Sequence, residues 1–264
     1  MNRLHAQWQR LFLPSIQPTT PLDVSGGTPA LQDAAGRTRA LMIELARPAD
    51  WPALATVWQG MQQDLGLPAP AIAVSGVDGF QLWLSLAEPV DAASGLDVLD
   101  ALRRRYLPDV MPQRLHLQAG DRARTGTQRE AAARPLPPQA QAVPDQWSAF
   151  VSQDLTLVFA DTPWLDIPPG VDAQADVLAG IACISTDALQ RAMAQLAPPS
   201  EGHADAAPAS VPSGSVTSEI DHSATPGTEA AQRARAFLLQ VMDDSTVALP
   251  LRIEAAKALL ASGG

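Results

Sequence analysis

Between Ala40 and Leu117 the apolar residues keep switching between the period of a strand and that of a helix, and this switching limits the fold more than any other feature of the chain. Ala40-Leu41-Met42-Ile43-Glu44-Leu45 is a short apolar run of strand type. Asp50, with Pro52 two positions on, marks a helix start, and Leu54, Val57, Trp58, Met61 and Leu65 recur on one face until Gly66 and Pro68 end it. Trp58 is expected to look towards the sheet. Ala71-Ile72-Ala73-Val74 reads as a strand, and Asp78-Gly79 in the following turn is a hairpin signal. Phe80 to Leu86 alternates with period two, which puts Phe80, Leu82 and Leu84 on one face and Gln81, Trp83 and Ser85 on the other. Leu96, Leu99 and Leu102 describe a second helix stopped by Pro108, and Leu115-His116-Leu117 a further strand. The order is that of a two-layer α/β sandwich.

Five regions follow along the chain. Residues 1–36, broken by Pro14, Pro18, Pro21 and Pro29, read as a poorly ordered arm in which Leu4, Trp8, Leu11 and Leu13 can form a short docking helix. Residues 37–134 are the α/β core, although from Arg122 to Pro144 the chain loses periodicity and looks like a linker. Residues 135–197 read as a mainly helical extension packed on the core. Within it Trp147 to Val151 suggest a short helix and Leu155 to Phe159 a strand, with Trp164 and Leu165 as anchors. Two helices follow, broken at Ser185-Thr186-Asp187, where Ser185 or Thr186 would cap the second. Residues 198–228 have the composition of a disordered linker, and 229–264 that of a helical hairpin suited to a protein partner or an oligomer contact.

Charge is segregated along this layout. Residues 1–134 carry 13 basic and 13 acidic side chains, whereas residues 135–228 carry Arg191 alone against eleven acids. The net charge of -10 gives no general attraction to nucleic acid, so any such contact falls to local patches, Arg103-Arg104-Arg105 or Arg122 with Arg124. Cys183 is the only cysteine, which rules out an internal disulfide and a cysteine-based zinc cluster. The N-terminus is too polar for a signal peptide and no apolar run is long enough to span a bilayer, so a cytoplasmic protein with no membrane contact is expected. Arginine is used almost to the exclusion of lysine, Lys257 being the only one, as in a GC-rich bacterial coding background.

Few residues carry recognisable chemistry. His5, His116, His203 and His222 form no cluster, and phosphate-binding glycine loops, dinucleotide fingerprints and serine elbows are missing. Glu44 stands apart as an acid inside an apolar strand. It marks either a sheet face open to water or a carboxylate lining a cleft.

A strand bearing an acid, a helix, a strand, the turn Ser75-Gly76-Val77-Asp78-Gly79, and a strand with a polar second residue together resemble the archaeo-eukaryotic primase-polymerase superfamily over residues 38–120. The resemblance implies a primase-like, RRM-like core, metal-binding acids on the first strand, and a small turn contacting nucleotide phosphate. It makes Glu44 the metal candidate; Ser75, Gly76, Gly79 and Gln81 the nucleotide-binding turn, with Gln81 or Phe80 where the family has histidine; and Glu44, Asp78 and Asp121 the candidate catalytic acids. Met42 and Ala46 leave Glu44 without the usual partner acid, and Leu115-His116-Leu117 brings no carboxylate. Two-metal phosphoryl transfer requires several converging carboxylates. The expectation is therefore a catalytically inactive primase-like domain that binds nucleic acid or protein without a cofactor. The alternatives are a nucleotidyltransferase using magnesium or manganese, or a purely structural adaptor. In the tail, Arg235 to Asp244 and Leu251 to Leu259 are similar to helical segments of small-terminase-like proteins of phages and prophages, which assemble as oligomers.

Overall fold

A computed structural model describes residues 2–14, 29–126 and 128–197. The expected linker 198–228 and hairpin 229–264 lie outside these residues. The fold is mixed α/β, with one large antiparallel sheet and several helices.

Seven strands, β1 (Arg37–Ala46), β2 (Ala71–Val74), β3 (Gly79–Asp91), β4 (Leu115–Ala119), β5 (Arg122–Thr125), β6 (Gln128–Ala131) and β7 (Ala149–Val151), form the sheet in the order β6-β5-β4-β1-β3-β2-β7. The helices are α1 (Arg3–Leu11), α2 (Trp51–Gln63), α3 (Ala92–Tyr106), α4 (Val171–Ala179) and α5 (Thr186–Leu196). Short 3-10 helices run over Pro112–Arg114 and Gln153–Phe159.

Local signals account for several of the element ends. The Asp50 carboxylate accepts from the Ala53 amide at 3.1 Å, and Pro52 sits inside the first turn of α2, where its missing N–H is no loss. Ser185 caps α5 by accepting from Ala188 N at 3.2 Å. The β2–β3 hairpin forms as expected, with Gly76 (φ +82°) as the left-handed residue of its turn.

Alternation along the strands sends side chains to two separate cores. Leu41, Ile43, Leu45, Leu82 and Leu84 pack under α2 and α3, whose buried side chains include Leu54, Val57, Leu99 and Leu102. Trp58 is half-buried against that core and donates from Nε1 to Pro70 O at 3.2 Å. Met42, Ala73, Trp83 and Phe150 form the second core with Leu11 at the end of α1, with Phe12 just after it, and with Ala175 and Leu178 of α4. Phe12 meets the edge of Trp83 at 5.9 Å and stacks on Phe150 at 6.0 Å. Arg10 ties α1 to the end of α4 by donating to Leu178 O and Ile181 O at 2.8 and 2.7 Å. The Glu44 face of the sheet is therefore covered, against the reading that left it open to water.

Three local expectations are overturned. The supposed linker contains β5 and β6, which extend the sheet beyond β4. Trp147 to Val151 is not helical: Phe150 pairs with Ala73 as part of β7. Leu155 to Phe159 is a 3-10 helix rather than a strand. Among the described residues no helix is long and apolar enough to cross a membrane.

Candidate functional site

Strand register gathers the singled-out residues into one row. Thr125 faces His116 across β5–β4, and His116 faces Glu44 across β4–β1. Glu44 faces Gln81 across β1–β3, Gln81 faces Ala73, and Ala73 faces Phe150. Glu44, Gln81 and Trp83 thus stand together on the second face, 1%, 2% and 0% exposed.

Burial at that level demands that every polar atom be paired, and most are. Trp83 Nε1 donates to Gln81 Oε1 at 2.8 Å, and Gln81 Nε2 donates to Glu44 Oε2 at 2.9 Å. Arg134 closes the chain, donating from Nε to Glu44 Oε2 at 3.0 Å and from Nη2 to Oε1 at 2.9 Å. This is the two-pronged geometry that a guanidinium offers and an ammonium does not. The backbone of Arg134 is fixed in turn. Its N–H donates to Gln118 Oε1 at 2.6 Å, and its carbonyl accepts from Gln118 Nε2 at 3.0 Å.

His116 is the exception. Its Nδ1 lies 2.9 Å from Thr125 Oγ1, but its buried Nε2 has no hydrogen-bond partner among the described residues. Burial holds the imidazole pKa below the ordinary histidine value, against the opposing pull of Glu44.

The turn after β2 is self-satisfied. Ser75 Oγ accepts from the amides of Val77, Asp78 and Gly79 at 3.1, 3.1 and 2.9 Å. A Cβ on Gly76 would fall 2.6 Å from both Gln141 Cγ and Ser148 N, so the segment before β7 lies directly on the turn. A pocket of about 70 Å³ remains beside it, lined by Ser75, Gln81, Arg134, Gln141 and Ser148 among others.

The remaining candidate acids stand elsewhere. The Asp78 carbonyl accepts from Arg47 N at 3.2 Å, beyond the end of the β1–β3 pairing and about 10 Å along the strand from Glu44. Asp121 follows β4 at the opposite end, where its carboxylate accepts from Leu31 N at 3.3 Å. No group of three or more metal-ligating side chains forms among the described residues. Of the arginine patches, Arg103, Arg104 and Arg124 converge on Asp100. Cys183 Sγ lies 3.0 Å from Ser85 Oγ and 3.6 Å from Arg39 Nη2.

The residue that sequence reasoning missed is Arg134. It lies 90 positions from Glu44 in a stretch without periodicity, and the only hint was a lone cation among Ala and Pro. No protein-family model and no curated protein matches the chain.

Proposed function

We propose that this chain is a primase-like domain that has given up phosphoryl transfer and acts in binding. The observation that supports this most is the state of Glu44. Both carboxylate oxygens accept from Arg134, and one also accepts from Gln81, inside a sheet face covered by helices. A catalytic acid of the family presents its oxygens to divalent metal, whereas here a guanidinium occupies the place and supplies the countercharge. Asp78 and Asp121 lie beyond opposite ends of the strand pairing that holds Glu44, and neither stands beside it in the row where a two-metal clamp would need a second acid.

The turn supports the same reading. Ligand sites commonly enclose about 300–1,000 Å³. The space beside Ser75 is about 70 Å³, with Gln141 and Ser148 against Gly76. A nucleotide would have to displace that segment.

The test is primer synthesis and extension on a single-stranded template, with magnesium and separately with manganese. Wild type is expected to give no template-directed product. Product that disappears in Glu44→Gln would overturn the proposal in favour of a metal-dependent nucleotidyltransferase.

A further inference from the structure

We infer that residues 154–172 form a docking surface for a basic, amphipathic segment of another protein. The inference rests on the binding reading above and names the partner's chemistry. Eight large apolar side chains stand exposed among the described residues, and five of them, Leu155, Leu157, Val158, Ile167 and Val171, fall in this stretch. Leu157, Ile167 and Val158 are 75%, 71% and 67% exposed, so they are not fringes of the core.

The local backbone keeps them outward. In a 3-10 helix residues three apart eclipse one another. Thr156 and Phe159 share the inward ridge, Thr156 buried and Phe159 packed on the α2–α3 core. Leu155 and Val158 consequently share an outward ridge. Farther on, Leu165 packs on the same core, and its strand-like exchange with Trp147, at 2.9 and 3.1 Å, fixes the chain before Ile167. The apolar groups of the 3-10 helix and Ile167 cannot turn inward without breaking those contacts, and large apolar side chains left exposed so close along the chain mark an interaction surface.

Charge selects the occupant. From residue 135 to 190 there are seven aspartates and no basic side chain. Asp154, Asp161 and Asp166 flank the apolar groups, and among the described residues no arginine pairs with them. Asp172 is the exception, 3.6 Å from Arg3. Exposed apolar anchors interspersed along the chain with uncompensated carboxylates complement lysine- or arginine-bearing amphipathic protein and repel nucleic-acid phosphate. The arginines on the α3 side offer phosphate less, because Arg103 and Arg124 are already engaged by Asp100 at 3.0 and 3.1 Å.

The experiment titrates the full chain into four fluorescent probes: an amphipathic Leu/Lys peptide, a Leu/Gln peptide of the same pattern, a Lys/Gly/Ser peptide, and single-stranded DNA. The Leu/Lys peptide is expected to bind tightest. Leu157→Ser with Val158→Ser and Ile167→Ser should weaken it about tenfold or more. Neutralising Asp154, Asp161 and Asp166 to Asn should weaken it similarly, while neutralising the distant Glu88, Asp91 and Asp97 should not. Equal weakening by both charge sets, binding unaffected by the Ser set, or preference for DNA would each overturn the inference. So would self-association abolished by the Ser set, which would make a second copy the occupant. If the Ser set lowers the melting temperature, the Asn set alone decides. None of these residues touches Glu44, so the primer assay fails or succeeds independently.

Discussion

Arg134 and Glu44, 90 residues apart in sequence, form a two-pronged ion pair at 2.9 and 3.0 Å in which the Glu44 side chain is buried and the Arg134 side chain is 40% exposed. The asymmetry sets what each partner contributes. Glu44 cannot reach water by itself, so removing Arg134 strands a charge, whereas removing Glu44 leaves a guanidinium that hydration can satisfy.

Arg134→Ala is therefore expected to cost more stability than Glu44→Gln. Loss of a partner to a fully buried charge costs about 3–5 kcal/mol, and solvent access around Arg134 reduces this to about 2 kcal/mol. Urea unfolding of both single variants and the double variant checks it. The double should cost less than the sum of the singles. Additive losses would mean that the pair is not coupled.

Ser75→Ala removes the one acceptor that three amides of the turn share. Buried donors left unmade cost about 1–3 kcal/mol, so the unfolding midpoint should fall accordingly. A neutral result would show that water replaces the hydroxyl.

His116 gives the fold a dependence on pH. Its folded-state pKa is depressed, chiefly by burial, so between that value and the unfolded value of about 6.5 the unfolded chain binds more protons. Stability is complete above the unfolded value, declines as pH falls below it, and levels off below the folded value. Glu44 opposes the depression, and Arg134 and Arg47 reinforce it. Melting temperatures across this range should show the decline in wild type and a flatter profile in His116→Leu.

Trp58→Ala should cost about 3 kcal/mol, the low end for a large aromatic, because Trp58 is half-buried and its N–H reaches only one backbone carbonyl. A loss below about 1 kcal/mol would place its contacts on the solvent side of α2.

What was legible in the sequence follows from how much of each signal is local. Asp50, the alternation of Phe80 to Leu86 and Ser185 each announce their element within a few residues, and each element forms. Strands β5 and β6 had no such signal. In Arg122 to Thr125 only Ala123 is buried, because an outlying strand has little core to face. β7 is three residues long, too short for either period to register. The row through Glu44 was half visible: Gln81 and Trp83 share its face by alternation, but Arg134 arrives by a loop whose path depends on Gln118 and not on its own neighbours.

The central place of β1 has a consequence for how the domain comes apart. β1 has β4 on one edge, β3 on the other and a core against each face. Its amides from Leu41 to Leu45 can exchange with deuterium only when the whole sheet opens, whereas those of β5 and β6 are free to fray. A fragment ending before Leu115 would leave β1 with a bare apolar edge. Such a fragment should be captured by chaperones or by its own copies rather than remain monomeric.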